Sequence, residues 1–440
     1  MEIAFALDTF YAVMAGALVM FMAAGFTMLE AGLVQKKDVS EIVTKNIGLY
    51  SIACIMYLAC GFVIMYPGSY IIEGVLPSIL GTSSFGLSTS LPNEDIGMPY
   101  GMDYSQQADF FFQVVFVATA MSIVSGAVAG RMKLIPFYLF AIVLTGLIYP
   151  IQGAWNWGGG FLSGTLGYSD YAGSGTVHLC GAAAALAVVT VLGPRNGKYA
   201  PDGTSLPMPG SNIPMAALGV WILWLGWFGF NGGSQLALGS KGDADAISAV
   251  FANTNIAACA GAVVAMILTQ LLYKKVDLTM VLNGALSGLV AITAGPDYPS
   301  MDLAMLIGGI GGALVVYAVP MFDKLKIDDP VGALSVHLVN GIWGTLAVGI
   351  FKPDVALGAQ IIGILCVGVF VFGTSFVVWL TLKLIVGLRV SEEEEFSGMD
   401  IPEFGLAAYP EFVQSAGYDY SSGNGKNETR TVQSGKLITQ

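Results

Sequence analysis

Two short segments of this chain repeat one pattern around its two histidines. The decapeptides 170–179, DYAGSGTVHL, and 329–338, DPVGALSVHL, both follow D-x-x-G-x-x-x-V-H-L and place His178 and His337 in the same register. The 440-residue chain contains no third histidine. A neutral imidazole carries one hydrogen-bond donor and one acceptor, and it takes up a proton near neutral pH. Two such rings can share one hydrogen bond and still offer groups to a small polar molecule or to a proton.

The elements that carry these histidines are too apolar for a soluble protein. Hydrophobic residues make up 55% of the chain, charged residues make up 11%, and the mean hydropathy is +0.72. So few polar groups cannot cover a globule of this size, which indicates an integral membrane protein. The apolar runs are long enough for helices that cross about 30 Å of hydrocarbon, and they lack the short alternation of barrel strands. The predicted fold class is therefore an all-α integral membrane protein.

Apolar length and Gly/Pro punctuation predict eleven transmembrane helices. They are placed at about 10–33, 45–66, 108–130, 134–152, 171–193, 213–233, 246–273, 278–294, 301–321, 331–350 and 355–388. With the amino terminus outside, every Lys and Arg except Lys241 and Lys352 falls on the inner side, and the connection 67–107 has none. The positive-inside rule then predicts an outer amino terminus and an inner carboxyl terminus. The run IGGIGG at 307–312 favours close helix packing over a phosphate-binding loop.

The predicted helices divide into two halves of opposite orientation. Each histidine lies on the fifth helix of its half, and because five is odd the second half enters the membrane inverted. Inverted repeats are typical of transporters whose site lies near the bilayer midplane. The repeats cover about 10–193 and 213–350, and the long eleventh helix at 355–388 completes a transporter domain over 1–388. Residues 389–440 are expected to form a cytosolic tail, disordered after about 420.

Depth along the helices supports a site between the halves. Each aspartate is expected at the start of its helix, with the histidine eight residues later and about 12 Å deeper. From opposite faces of a core about 30 Å thick, both imidazoles then approach the middle. Aspartate is also a preferred N-cap. Capping is the favoured interpretation for Asp329, whereas for Asp170, on the outer side, capping and attraction of a cation are compatible.

Further motifs make the chain similar to a known family. Beside the two decapeptides, the chain contains WNWGGGFLSG, WFGFNGGS, NGALSGLVAITAG and GMDIPEFGLAAYPEF in this order. This set resembles the ammonium transporter family (Amt/Mep/Rh) from about residue 8 to 412. The resemblance implies eleven helices in two inverted five-helix halves, and a homotrimer with one pore in each subunit.

The resemblance also implies roles for individual residues. His178 and His337 match the twin pore histidines, which share a hydrogen bond and line a narrow hydrophobic conduit. Phe116 and Phe230 match the stacked pair that closes the pore from outside. The outer ammonium-recruitment site is matched by Phe112, Phe116, Trp157 and Ser234, with Asp170 beneath it.

Elementary electrostatics agrees with these roles. A bare cation in hydrocarbon is very costly, so ammonium must meet replacement ligands or lose a proton. Aromatic faces such as Trp157 offer a cation–π attraction of about 0.5–2 kcal/mol, and the Ser234 hydroxyl can accept a hydrogen bond. Without the resemblance, Phe112, Phe116 and Phe230 would be interpreted as ordinary core packing.

The sequence predicts a multi-pass ammonium/ammonia transporter of the plasma (cell inner) membrane, with methylammonium as a further substrate. It is expected to be no enzyme, to need no cofactor and to bind no nucleic acid. Two alternatives stay open: an ammonium sensor with little flux, and a haem protein with His178 and His337 as axial ligands. Against the haem alternative, no Lys or Arg lies near either histidine in the sequence to pair with propionates.

Regulation and transport stoichiometry are less constrained. The resemblance implies that the inner loops and the 392–412 segment could dock a PII-type regulatory protein. The alternative, slightly favoured, is a tail that packs on the protein itself and couples subunits. Leu338 and Asn340 stand where many relatives have glycine, so the rate and the transported species are left open.

Overall fold

The computed structural model describes residues 2–66 and 104–410, and in this part of the chain all regular elements are helical. Ten of the described helices are long and apolar enough to cross a membrane, and one further apolar helix, Leu278–Thr293, is shorter. They are α1 (Glu2–Leu33), α2 (Lys36–Met65), α3 (Gln106–Val128), α4 (Leu134–Gly164), α5 (Ser174–Leu192), α6 (Ile213–Gly233), α7 (Lys241–Tyr273), α8 (Leu278–Thr293), α9 (Met301–Lys324), α10 (Leu334–Phe351) and α11 (Leu357–Ile385). The predicted all-helical membrane class is confirmed. Most of the 67–107 connection and the tail after 420 lie outside the described residues.

The observed helices overlap the predicted apolar segments, and their bounds differ at several ends. Helix α4 runs to Gly164 instead of residue 152, and α2 begins at Lys36 instead of residue 45. Helix α1 begins at Glu2 instead of residue 10, and α7 begins at Lys241 instead of residue 246. At α7 the Ser240 side chain accepts a hydrogen bond from the Asp243 backbone N–H at 3.1 Å, so a polar first turn extends the helix. Hydrophobicity marks the membrane-buried part of a helix, whereas capping residues set where it starts.

Helices α1 and α6 pack with their backbones in direct contact. A Cβ atom on Gly32 would lie 2.4 Å from the backbone nitrogen of Ala216, and one on Gly219 would lie 2.3 Å from that of Leu29. Only glycine allows such an approach, which is a common way to pack helices in a membrane. This contact joins the first helix of each predicted half.

The glycine run at 307–312 has the predicted packing role. A Cβ atom on Gly308 would lie 2.2 Å from the carbonyl oxygen of Ala257, and one on Gly312 would lie 2.2 Å from that of Gly261. Helix α9 therefore lies directly against α7, and the interpretation as a packing motif is confirmed.

Both histidine helices begin with an irregular turn. The segments Ser174–Leu179 of α5 and Leu334–Leu338 of α10 are π-helical, and each contains its histidine. π-Turns are rare and often occur at functional sites. The two segments contact each other, which brings the start of α5 and the start of α10 together inside the helix bundle.

A cluster of charges joins three connections between helices. Arg195 donates two hydrogen bonds of 2.8 Å to the Asp328 carboxylate, and the Arg131 guanidinium lies 3.9 Å from it. Burial alone would raise the pKa of Asp328, but the hydrogen bonds from Arg195 and the charge of Arg131 lower it to about 2. The cluster holds the segments after α3, α5 and α9 together.

The described part of the tail packs on its own chain. It forms two short helices, α12 (Glu392–Ser397) and α13 (Asp400–Phe404). The buried Asp400 carboxylate accepts hydrogen bonds from the backbone N–H groups of Ser40 and Glu41, both at 3.0 Å, and so caps α2. This arrangement supports the hypothesis of a self-packing tail.

Candidate functional site

The structure brings the two histidines into direct contact. The Nδ1 atoms of His178 and His337 lie 3.1 Å apart, and the ring centroids lie 5.1 Å apart with a 19° angle between planes. Both side chains are buried, and His178 Nε2 has no hydrogen-bond partner among the described residues. Because an Nδ1–Nδ1 hydrogen bond holds one proton, one ring donates and the other accepts.

Asp170 holds the start of α5 in place. Its carboxylate accepts hydrogen bonds from the backbone N–H groups of Gly173, Gly175 and Thr176 at 2.7–3.0 Å, and from the Thr176 hydroxyl at 2.9 Å. Burial raises the pKa of Asp170, and these hydrogen bonds oppose that rise. The Asp170 carbonyl also accepts a 2.9 Å hydrogen bond from Trp157 Nε1 and so orients the indole. The structure thus places Asp170 as a helix cap.

Asp329 has the corresponding place at the start of α10. Its carboxylate accepts hydrogen bonds from the backbone N–H groups of Leu334 and Ser335, both at 3.0 Å, and from the Ser335 hydroxyl at 3.1 Å. Burial raises the pKa of Asp329 to about 6, against these hydrogen bonds. The predicted capping interaction is present here too.

A line of aromatic rings leads away from His178. The Phe230 ring centroid lies 5.4 Å from that of His178 and 4.1 Å from that of Phe116. Phe112 follows at 4.8 Å from Phe116, and all three phenylalanines are buried. The rings form a continuous apolar barrier between the imidazole pair and the cavity beyond Phe116.

That cavity, here called the aromatic cavity, has a volume of about 110 Å³. It is lined by Tyr66, Phe112, Gln113, Phe116, Trp157, Tyr171, Ser234 and Leu236. The Trp157 ring stands edge-on to Phe116, with centroids 5.9 Å apart. The Ser234 hydroxyl donates to the Phe230 carbonyl at 2.8 Å, which leaves its oxygen lone pairs for a donor in the cavity. The structure therefore brings Phe112, Phe116, Trp157 and Ser234 together, whereas Asp170 is absent from this lining.

A second, smaller cavity adjoins the other histidine. This Glu30 cavity has a volume of about 10 Å³ and is lined by Phe26, Leu29, Glu30, Ser122, Ile123, Gly126, Asn283, Leu286, Val331, Gly332, Ala333, Val336 and His337. Contacts therefore run from the aromatic cavity through Phe116, Phe230, His178 and His337 to the Glu30 cavity.

Sequence reasoning missed several residues of this arrangement. Trp227 stacks on His178 at 5.1 Å, and Phe26 lies 6.3 Å from His337. Trp227 precedes Phe230 by three residues in WFGF, so helical spacing was an available signal. Phe26 and Glu30 occupy an ordinary apolar helix and its end, and no motif marks them.

Leu338 and Asn340 follow His337 on α10. Neither Leu338 nor Asn340 belongs to the lining of the aromatic cavity or of the Glu30 cavity. Asn340 is fully buried, and its Oδ1 lies 3.0 Å from where a Cβ atom on Gly311 would stand. The asparagine therefore packs toward α9.

The histidine contact does not fit a haem iron held between the rings. Two metal–nitrogen bonds of about 2 Å would separate ligating nitrogens by about 4 Å, with the macrocycle between them. Here the Nδ1 atoms lie closer, at 3.1 Å, and the rings stack at 19°.

The fold and this site define a multi-pass helical membrane protein with a buried imidazole pair and a row of buried aromatic rings in its helix bundle. Residues 10–409 match the model of the Ammonium Transporter Family. The ammonium transporter Amt2 of Archaeoglobus fulgidus is 39% identical, with 92% of this chain and 89% of that protein covered. Amt1 of Haloferax mediterranei is 36% identical, with 94% and 82% covered. The chain belongs to the ammonium transporter family.

Solved structures of the family share the fold. A structure described as a sensor Amt protein superposes with a TM-score of 0.82 at 35% identity and covers 92% of this chain and 100% of that one. Mep2 of Candida albicans superposes with a TM-score of 0.77 at 26% identity, with 92% of each chain covered.

Proposed function

We propose that this chain conducts ammonium or ammonia across the plasma membrane along a narrow apolar path past His178 and His337. The 3.1 Å contact between their Nδ1 atoms is the observation that carries the proposal. A polar molecule that leaves water needs a hydrogen-bonding partner inside the bundle. The paired imidazoles supply one donor and one acceptor there without a fixed charge that would repel a cation.

The aromatic cavity is the proposed recruitment site. The rings of Trp157 and Phe116 attract a cation by about 0.5–2 kcal/mol each, and the Ser234 oxygen accepts a hydrogen bond from it. Interactions of this size gather ammonium without trapping it. The Phe116–Phe230 contact, with centroids 4.1 Å apart, is the proposed gate, which opens when one ring rotates. Asp170 acts through the α5 cap and the Trp157 indole.

The membrane arrangement belongs to the same proposal. Eleven helices cross the membrane as two inverted repeats and a final helix, with the amino terminus and the aromatic cavity outside. The matched caps at Asp170 and Asp329 and the α1–α6 contact support this arrangement. Three copies assemble as a homotrimer in the plasma membrane, and the tail, which packs on its own chain, is proposed to couple the subunits. The inner loops are the proposed place for a PII-type regulator.

The test replaces both imidazoles and measures current. Purified protein is placed in liposomes on supported membranes, and currents are recorded with ammonium, methylammonium and potassium. We expect His178→Ala combined with His337→Ala to reduce the ammonium current by about ten-fold or more. Thr190→Ala, at an exposed position of α5, is the matched control. Unchanged current and selectivity in a correctly assembled double variant would contradict the proposal.

A second candidate function is ammonium sensing. The likeness to a structure described as a sensor Amt protein favours it. A sensor binds ammonium but passes little of it, so ammonium would raise the melting temperature of the purified protein while liposomes showed no current. Current that depends on the histidine pair excludes this candidate.

A further inference from the structure

Glu30 is a buried carboxylate that the chain satisfies only in part. It lies near the end of α1, and its side chain is 1% exposed. One oxygen, Oε2, accepts hydrogen bonds from Ser125 Oγ at 2.7 Å and from Asn46 Nδ2 at 3.3 Å. The other oxygen, Oε1, has no hydrogen-bond partner among the described residues. This oxygen therefore keeps its lone pairs available for a further hydrogen-bond donor.

The surrounding charges leave Glu30 without a paired cation. The ammonium group of Lys45 lies 3.3 Å from Glu41 Oε1, and both side chains are 1% exposed. The same nitrogen donates to the Ser125 carbonyl at 3.4 Å, so the close contacts of the Lys45 ammonium are with Glu41 and Ser125 instead of Glu30. Among the described residues, no basic side chain forms an ion pair with the Glu30 carboxylate. A buried carboxylate is stable when a cation or several donors meet it.

The space beside Glu30 fits one small molecule. The Glu30 cavity of about 10 Å³ holds about one water-sized guest. Apart from Glu30 itself, its polar lining includes Ser122, Asn283 and His337. The Ser122 hydroxyl donates to the Ala118 carbonyl at 3.1 Å and keeps lone pairs for a guest. Ammonium has the size of a water molecule and four donors.

Gly332 is part of the lining of this cavity. It adopts a φ of +84°, and a Cβ atom there would lie 2.6 Å from Asn283 Nδ2. The loop between α9 and α10 therefore presses its backbone against the Asn283 amide, beside the histidine-bearing turn.

We propose that Glu30 forms a second cation site for ammonium at the cytosolic end of the path, one step beyond His337. The Glu30 carboxylate binds the cation through Oε1, and the oxygens of Ser122 and Asn283 accept further hydrogen bonds. The inference rests on the proposed transport function and adds an inner site to it. The guest is a monovalent cation that donates hydrogen bonds, which favours ammonium over potassium.

Sided uptake measurements test the site. Right-side-out and inside-out membrane vesicles containing the full chain take up radiolabelled methylammonium, and the half-saturating concentration is measured on each side. We expect Glu30→Gln to raise this concentration by about ten-fold or more in inside-out vesicles, because a charge-assisted hydrogen bond is lost. In right-side-out vesicles it should stay within about two-fold. Glu30→Asp, which keeps the charge, should fall between wild type and Glu30→Gln.

Glu392→Gln is the control, since it removes an exposed carboxylate of α12 and touches neither Lys45 nor the cavity lining. It should leave both concentrations unchanged. A shift of equal size on both sides, no shift, or the same shift with Glu392→Gln would overturn the inner site.

A second variant keeps the test decisive if Glu30→Gln does not accumulate. Asn283→Leu preserves bulk and the Glu30 charge but removes a polar group of the lining, so we expect about a three-fold rise confined to inside-out vesicles. If Asn283→Leu does not raise the half-saturating concentration in inside-out vesicles, the inner site is refuted. Failure of the proposed function looks different, because wild-type vesicles would then show no histidine-dependent uptake in either orientation.

Discussion

Asp170 and Asp329 cap the two histidine helices through the same contacts. Each carboxylate accepts a hydrogen bond from the backbone N–H and one from the hydroxyl of the residue six positions later. The distances are 2.7 and 2.9 Å to Thr176, and 3.0 and 3.1 Å to Ser335. The two decapeptides thus repeat a cap as well as a histidine, and both caps fix a π-helical first turn.

The two caps are expected to contribute different amounts to the free energy of unfolding. Both carboxylates also accept a hydrogen bond from the backbone N–H five positions later. Asp170 accepts two further hydrogen bonds, from the Gly173 backbone N–H at 3.0 Å and from the Tyr168 hydroxyl at 3.4 Å. Asp170→Ala should therefore lower the free energy of unfolding by about 2–3 kcal/mol, and Asp329→Ala by about 1–2 kcal/mol. Thermal unfolding of the purified proteins in detergent measures the difference. A larger loss with Asp329→Ala would contradict this ranking.

Phe230 lies between Phe116, its partner in the proposed gate, and the imidazole of His178. Phe230→Ala removes its contacts with Phe116 and His178 and leaves a cavity, so stability should fall by about 3–5 kcal/mol. Water then reaches the histidine pair, and we expect potassium current beside the ammonium current. Phe228→Ala, on the same helix but stacked on Phe251 instead, is the control and should keep potassium excluded. Unchanged selectivity with Phe230→Ala would argue against a gate.

The Asp328 cluster gives a pH-dependent contribution to stability. Its folded pKa of about 2 lies below the unfolded value of about 3.9. A lowered carboxyl pKa stabilises the fold above the unfolded value, on the order of 2 kcal/mol, and this contribution disappears as the pH falls from about 4 to about 2. Asp328→Asn should therefore have a lower free energy of unfolding than wild type at pH 7, and the difference between the two should become smaller below pH 4.

Unfolding by denaturant at several pH values measures that difference. Asp302→Asn, at an exposed position in the first turn of α9, is the control and should change stability by less than about 0.5 kcal/mol. If the difference in free energy of unfolding between wild type and Asp328→Asn stays constant from neutral pH to about pH 2, the carboxylate charge is not the source of that difference.

The tail contact at Asp400 should govern access to the tail. Asp400→Ala removes the acceptor for the Ser40 and Glu41 N–H groups, which costs about 1–2 kcal/mol locally and frees the segment after α11. Limited trypsin digestion should then cleave near Arg389 several-fold faster. The exposed Glu403 provides the control, since Glu403→Ala leaves the cap intact. Equal cleavage rates would show that other contacts hold the tail.

Most of the helical architecture follows from hydrophobicity and punctuation alone. Membrane-buried segments can be recognised in the sequence because each must be apolar along its whole length. Glycine runs such as 307–312 indicate close helix packing. The repeated decapeptide indicates the depth of His178 and His337. Their contact could not be derived, because it depends on how two halves of the bundle meet.

The parts that the sequence did not reveal depend on tertiary geometry. The π-turns at both histidines have no propensity signal, since they form where a cap and a neighbouring helix fix the backbone together. Glu30 follows the apolar run of α1 and resembles the polar end of any membrane helix. Only its neighbours Ser125 and Asn46, from two other helices, show that it is buried.

The shared proton between the two Nδ1 atoms makes the pair asymmetric. The ring that donates at Nδ1 has a bare Nε2, and the ring that accepts at Nδ1 must carry its own proton on Nε2. When a proton binds the unprotonated Nε2 of the donor ring, the shared proton moves to Nδ1 of the acceptor ring. The acceptor ring then releases the proton on its own Nε2, and the two rings have exchanged their donor and acceptor roles. The pair cannot relay a second proton in the same direction until both rings have exchanged tautomers, whereas a neutral molecule can pass without this reset.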